Sequence, residues 1–425
     1  GETAIGNYPI QCVTMIKKII KQFQRPNKDL NNSISNIINK ESLILPTSHG
    51  GGLVYQVIPN FEDIKEHKIL NVDIETLMDS EQIAVGALSP LTGFMNEDEI
   101  ENVLDNYKLN DGTSWPLPIF FQIDKNLYKK ISVGDEVILK SQDLNEPIAK
   151  MTIKSMFRKK LDKIAEKMFG TNDIKHPGVY RLHSKGEYFI SGKVELINRL
   201  PSKYKHFEIL PFEARAIFEN KGWNRVVGFH TRNIPHRVHE FIQLSAINEH
   251  YCDGLFIHPA VGPKKSGDYL PETIIESYQI LLEDDYLDGK TILGAFQNYS
   301  RYAGPREAIF TAICRKNFGC SHFILGRDHT GVSDYYSKSD LRAIFSEFDN
   351  IGINPIIFDE FVYSKKRKKY INIKYAKSDE INKISGTEAR SMLNSKKEPP
   401  DWYMRTEISR YAIKQISNGK GIFVE

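Results

Sequence analysis

One stretch of the chain, Phe229-His230-Thr231-Arg232-Asn233-Ile234-Pro235-His236-Arg237-Val238-His239, sets a guanidinium and an amide beside three imidazoles. Pro235 suits the first turn of a helix, where its missing N–H would have no partner in any case. His236 and His239 are then spaced i,i+3, so both rings lie on one face of the opening turn. A helix start also offers unpaired N–H groups and partial positive charge, which favours a bound phosphate or other oxyanion. Arg232 and Asn233, just before it, complete a site for tetrahedral anions. An isolated H-x-x-H pair more often serves in a core or a cap; here its place at a strand end and the neighbouring Arg and Asn point to the anion site.

Three further loops carry similar chemistry. His258-Pro259-Ala260-Val261-Gly262-Pro263-Lys264-Lys265-Ser266-Gly267-Asp268 has glycines and lysines able to wrap phosphate, without the Gly-x-x-x-x-Gly-Lys-Ser/Thr spacing of a P-loop. Arg301-Tyr302-Ala303-Gly304-Pro305-Arg306-Glu307 again sets glycine beside arginine. Gly326-Arg327-Asp328-His329-Thr330-Gly331 brackets an Arg-Asp-His run with glycines, either as a binding loop or as an ion pair that pins it.

Each of these loops follows a short apolar run: Val226–His230, Gly254–His258, Thr291–Phe296 and His322–Gly326, with a fifth run at Pro355–Asp359. Helical segments separate them. That alternation predicts βαβ units and a parallel sheet covered on both faces, with ligands beyond the carboxyl ends of its strands. The fold class read here is therefore α/β, with a parallel-sheet domain over residues 207–360. Residues 41–206 predict a strand-rich domain, with strands at Leu53–Ile58, Pro118–Ile123, Glu136–Leu139 and Pro147–Ile153. A turn falls at Val133-Gly134-Asp135, and helices at Asp73–Asp79, Glu97–Leu104 and Leu161–Phe169. Residues 361–425 form a small C-terminal domain. Its basic cluster Lys365–Lys369, flanked only by Tyr363 and Tyr370, reads as a solvated surface, since single-stranded nucleic acid needs interleaved stacking platforms. Residues 1–40 hold an amphipathic run (Val13, Ile16, Ile19, Ile20, Phe23) and an Asn/Ser-rich linker.

Composition narrows the function classes. At 425 residues, 40% hydrophobic and 26% charged, the chain is long enough for several globular cores. A net charge of +3 gives no global pull toward nucleic acid or a membrane surface. Four scattered cysteines (Cys12, Cys252, Cys314, Cys320), none in a C-x-x-C pair, exclude a disulfide framework and fit a reducing compartment. No apolar run approaches the ~20 residues of a membrane helix. These features predict a soluble, cytoplasmic protein.

The loops resemble those of the ATP sulfurylase (sulfate adenylyltransferase) family. The family's Gln-Thr-Arg-Asn-Pro-x-His-Arg-x-His stretch is matched by His230–His239, and its His-Pro-x-x-Gly-x-x-Lys-x-Gly-Asp loop by His258–Asp268. Arg301–Glu307 and Gly326–His329 match two more motifs. Ile384–Glu388, Pro400-Asp401-Trp402 and Arg405 are similar to its C-terminal segment, and Leu88–Met95 and His176–Val179 to N-terminal stretches, so residues 40–425 are covered. The resemblance implies a PUA-like N-terminal domain, a Rossmann-like nucleotidyltransferase domain and a small C-terminal α/β domain. It implies that ATP and sulfate give adenosine 5′-phosphosulfate and pyrophosphate. Arg232 and Arg327 would take the sulfate and the developing charge, with His230, Thr231, Asn233 and Thr330 completing the sulfate site. Asn233 would orient the α-phosphate. His236 and His239 would bind phosphates and stabilise the leaving pyrophosphate, with His258, Gly262, Gly326, Asp328 and His329 in the nucleotide site. Mg²⁺ would arrive with ATP, on its β- and γ-phosphates. The partners implied are small molecules and further copies of the chain, a homo-oligomer, with neither nucleic acid nor a membrane.

Departures from the pattern carry their own expectations. His230 stands where the family has Gln, so sulfate affinity is expected to vary with pH as an imidazole titrates. Ile234-Pro235 replaces Pro-x. The cysteines that bind zinc near the Tyr363 region in some relatives have no counterpart, so no zinc is expected. The chain ends at Glu425, so the kinase-like domain of some relatives is not expected either. Gly1–Pro9 resembles a short pyruvate kinase stretch, without that enzyme's substrate residues. Alternatives are another H-x-x-H adenylyltransferase acting on a phosphorylated small molecule, an RNA-binding protein using the PUA-like domain, and a metallohydrolase built on His236, His239 and His329.

Overall fold

The computed structural model describes residues 44–58, 60–283, 285–326, 338–348 and 351–425. The 1–40 segment and the Arg327–Thr330 run lie outside these residues. The N-terminal sheet contains β1 (Lys68–Asn71), β2 (Gly93–Phe94), β3 (Phe121–Ile123), β4 (Glu136–Lys140), β5 (Ala149–Arg158) and β6 (Tyr188–Leu196). Its order is β1-β4-β5-β6-β2, with β3 also on β6. β1 and β4 run parallel and the other pairs antiparallel. Alternation carries β5: Ala149, Met151 and Ile153 are buried while Lys150 and Thr152 are partly exposed. Gly134 turns with φ 93°, where the sequence places a turn.

The strand predicted at Leu53–Ile58 does not form. Val57 makes one isolated bridge to Leu196, and Gln56 N–H donates to the Ala84 carbonyl rather than to a neighbouring strand. The apolar run is spent lining the seam between a helix end and a strand end. That helix is α1 (Ile74–Ala84), capped by Asp73, whose carboxylate accepts from Thr76 N–H. It is followed by α2 (Glu97–Asn106), α3 (Leu161–Phe169) and α4 (Pro177–Ser184).

The central domain alternates as its apolar runs predict: α5 (Pro211–Asn220), β7 (Val226–Phe229), α6 (Arg237–Glu249), β8 (Gly254–Ile257), α7 (Pro271–Glu283), β9 (Thr291–Leu293), α8 (Gly304–Asn317), β10 (His322–Leu325), α9 (Lys338–Glu347) and β11 (Asn354–Ile357). All five strands are parallel, in the order β11-β10-β7-β8-β9. The chain leaves β7 to one side and returns to its other side at β10, so the order reverses between these two strands. Successive residues feed two different cores. Val226, Phe256, Ile292 and Phe323 join a core shared with α5, α8 and the N-terminal domain. Val227, Leu255, Leu293 and Ile324 join one shared with α6, α7 and the C-terminal segment.

The C-terminal segment adds an antiparallel sheet, β13-β12-β14, of β12 (Phe361–Ser364), β13 (Lys369–Asn372) and β14 (Ile381–Asn382). The basic cluster forms the exposed turn between β12 and β13. Helix α10 (Gly386–Asn394) starts with a Ser385–Glu388 capping box, and α11 (Thr406–Ser417) packs on the second core. Among the described residues no helix is long and apolar enough to cross a membrane.

Candidate active site

A cavity of about 350 Å³ opens where the strand order reverses, beyond the carboxyl ends of β7, β10 and β11. This is the place where open parallel sheets bind ligands. One wall is polar: His230, Thr231, Arg232, Asn233, His236, His239 and Gly326. The other comes from the strand ends and the C-terminal segment, with Phe358, Asp359, Glu360, Tyr363, Lys383, Trp402 and Tyr403.

The polar wall is a tight turn followed by a helix start. Thr231 is buried, and its hydroxyl accepts the Asn233 N–H at 3.1 Å, folding the chain so that Arg232 and Asn233 face the cavity. Helix α6 begins two residues later than the proline suggests. Pro235 lies outside it, His236 is the N-cap and His239 is the third helical residue. The reason is visible in the cap: His239 Nδ1 accepts the His236 backbone N–H at 3.3 Å. Because Nδ1 accepts, the proton of the neutral His239 ring sits on Nε2. The two rings stack at 4.9 Å with 9° between planes, and His236 also packs on Tyr403 at 4.6 Å. His236 Nε2 is buried and has no hydrogen-bond partner among the described residues. Burial brings His239 down to about 4, and burial with His239 and Arg390 nearby takes His236 well below the ordinary histidine value. Both rings are therefore neutral hydrogen-bonding groups at neutral pH, not cations.

On this wall the lasting positive charge belongs to Arg232. Asp268 stands 3.8 Å from its guanidinium, and burial, with Arg232 beside it, lowers the Lys264 ammonium to about 8. The loop after β8 thus meets the site through Lys264 and Asp268. His258 and Gly262, expected there as nucleotide contacts, are not brought to the cavity. The His258 ring is fully buried, stacked 4.3 Å from Phe256 and 4.8 Å from Phe296, with Phe318 edge-on. Its imidazole is a core aromatic because it lies two residues past Phe256, on the same face of the strand. Gly262 is glycine because a Cβ there would come within 2.3 Å of the Asn298 carbonyl oxygen. The loop after β9 also turns away. Arg301 pairs with Asp79 of α1, and Arg306 donates to the carbonyls of Val103, Leu104 and Pro116, so both arginines join the two domains. Gly326 lines the cavity, whereas Arg327, Asp328, His329 and Thr330 lie outside the described residues.

The C-terminal segment closes the site by holding the helix start. Tyr403 carbonyl accepts Arg237 N–H at 2.8 Å, Arg237 reaches Asp401, and Glu240 pairs with Arg405 at 2.7 Å. Tyr403 and Trp402, in the wall opposite the histidines, were not among the expected site residues. The Pro400-Asp401-Trp402 motif was the available signal.

The chain matches the PUA-like domain family over residues 46–199 and the ATP-sulfurylase family over residues 205–415. It is similar to the sulfate adenylyltransferase of Pyrococcus abyssi, at 39% identity over 368 residues, 85% of this chain and 95% of that protein. Similarity to the sulfate adenylyltransferase of Thermococcus onnurineus is also 39%, with the same coverage. Among solved structures, it superposes on a hexameric APS kinase from Thiobacillus denitrificans with a TM-score of 0.69 at 23% identity, over 87% of this chain and 68% of that one. That last likeness speaks to the fold alone.

Proposed function

The chain belongs to the ATP-sulfurylase family and catalyses sulfate adenylyl transfer, and we propose that ATP and sulfate meet in the cavity at the strand reversal. The observation that carries this reading is the polar wall. One guanidinium and two stacked neutral imidazoles, one with an Nε2 unpartnered among the described residues, converge at a helix start. A sulfate oxygen attacks the α-phosphorus as the bond to the β-phosphate bridging oxygen breaks, and pyrophosphate leaves. Sulfate is already deprotonated, so no general base is required. The barrier lies in gathering anions, and catalysis becomes positioning and charge neutralisation.

Arg232 takes the sulfate, with Thr231 shaping its turn and His230 beside it. Asn233 orients the α-phosphate. His239 offers Nε2–H, and His236 its unpartnered Nε2, to the phosphate oxygens on which charge grows. As neutral donors fixed at the cavity wall they stabilise that charge without the cost of desolvating a cation. Gly326 leaves room for the nucleotide, and Arg327, Asp328, His329 and Thr330 remain assigned by resemblance. Among the described residues no three His, Cys, Asp or Glu side chains gather to hold a metal. Mg²⁺ in this reading rides on the β- and γ-phosphates as part of the substrate. The division into units at 41–206, 207–360 and 361–425, a homo-oligomeric state and a cytoplasmic location belong to the same reading.

The test is molybdate-dependent pyrophosphate release from ATP, because molybdate replaces sulfate and its adenylate falls apart, pulling turnover forward. Arg232→Ala is expected to lower it by about 10²-fold or more, the scale for removing a charged partner from a developing anion. Undiminished release from that variant would remove Arg232 from the sulfate site.

A further inference from the structure

Beneath the cavity lies a cation that the reaction as described does not use. Arg315 of α8 is fully buried, wedged between Phe296 at 4.7 Å and Phe323 at 5.5 Å. Among the described residues no carboxylate meets it, and its Nε and Nη1 have no hydrogen-bond partner. Its Nη2 donates to two acceptors, the His258 carbonyl at 2.8 Å and His230 Nδ1 at 2.7 Å. A buried charge without a counter-ion is costly, so its retention invites a reason at the site.

The second of those bonds decides the state of His230. A guanidinium has no acceptor, so the ring nitrogen facing it must present a lone pair. The ring's proton is then on Nε2, and His230 is a wall residue of the cavity. Protonating Nδ1 would break the bond and set two cations face to face beneath the cavity. The sequence cooperates: Gly228, two residues before His230 on β7, has no side chain where a Cβ would come within 2.9 Å of Arg315 Cγ. Among the described residues, the charged and titratable groups around this pair are Arg232 on the same turn, His258 on the loop after β8, Cys314 on α8 and Cys320 before β10. None of these is a carboxylate that would favour a charged His230.

Resting on the assignment of the cavity to sulfate, we propose that Arg315 is a positioning residue that locks His230 as a neutral Nε2–H donor to the bound oxyanion. The expectation that His230 makes sulfate affinity vary with pH is thereby reversed. The lock holds the imidazole in one state throughout the range in which a histidine ordinarily titrates.

Two measurements separate the lock from the activity. In the whole protein labelled with ¹⁵N-histidine, the resonances lost in His230→Gln identify His230. They are expected to show the neutral Nε2–H pattern from about pH 6 to 8, the ordinary imidazole range. An Nδ1–H or charged-ring pattern overturns the lock whether or not the enzyme turns over. In kinetics, the wild-type KM for sulfate is expected to stay within about twofold over the same range. Arg315→Met frees the ring to titrate, so its KM should rise with pH by about tenfold, with kcat for the saturated enzyme far less affected. Arg315→Met/His230→Gln should be flat again, since an amide does not titrate. Gly228→Ala, which pushes on Arg315, should move toward the Arg315→Met profile. A wild-type KM that climbs with pH, or an Arg315→Met profile as flat as the wild type, rejects the proposal. A wild type without molybdate-dependent turnover rejects the sulfate assignment instead, leaving the spectrum to judge the lock.

Discussion

His236 and His239 stack face to face, yet removing each should cost something different. His239 uses Nδ1 for the helix cap, which leaves its proton on Nε2, whereas His236 holds no bond through Nε2 among the described residues. His239→Ala should therefore lower both stability, by the ~1 kcal/mol of a lost cap, and turnover. His236→Ala should lower turnover by a similar factor with a smaller stability loss. Melting temperature and pyrophosphate release on the same samples check this; equal thermal losses would contradict the division of roles. The cluster of Arg232, Asn233, His236 and His239 was legible because one turn and one helix start bring it together locally. His258 misled because its motif names a loop while its side chain obeys the strand, and the alternation from Phe256 was the physical signal that it points inward. Arg315 and Tyr403 were illegible as site residues because only tertiary folding brings them beside positions 230 and 236.

At the scale of elements, the parallel sheet was readable because each of its strands is a short apolar run buried on both faces, with helices between. Loops were harder, because glycine beside arginine marks a sharp turn without saying what the arginine meets. After β9 it meets the neighbouring domain: Arg301 is held by Asp79 and Tyr299, and Glu307 accepts the N–H groups of Arg301 and Ala303. Asp79 and Arg301 are both nearly inaccessible to solvent, so breaking the pair leaves a buried charge. Asp79→Ala is expected to destabilise by about 3–5 kcal/mol, the range for removing one partner of a buried ion pair. Replacing both, as Asp79→Leu/Arg301→Met, should recover much of that loss. Urea unfolding of the three proteins distinguishes the cases. A single variant as stable as the wild type would mean that the pair contributes nothing to joining α1 to the central domain.

Across the whole molecule, histidine burial sets how stability responds to acid. Burial brings His49 and His239 down to about 4; burial, Arg225 and His250 do the same to His322. His236 and His258 are held well below the ordinary value, and burial lowers His176 as well. In the unfolded chain all six would titrate near 6.5. As pH falls below that value the unfolded state takes up protons that the folded state refuses, so the equilibrium shifts toward unfolding. The stabilisation is therefore complete above about pH 6.5 and is lost progressively toward pH 4. Four glutamates oppose this, because burial raises Glu99, Glu208, Glu213 and Glu307, which favours the folded state as pH drops toward their titration. Their carboxylates accept hydrogen bonds or face arginines that hold the shifts down, whereas His239 has burial alone acting on it. The histidines should win, and the melting temperature should fall steadily from pH 7.5 to pH 5, within the range set by imidazole titration. Scanning calorimetry at matched ionic strength reads this directly. A melting temperature that holds level or rises on acidification would mean that the buried glutamates, not the imidazoles, govern the response.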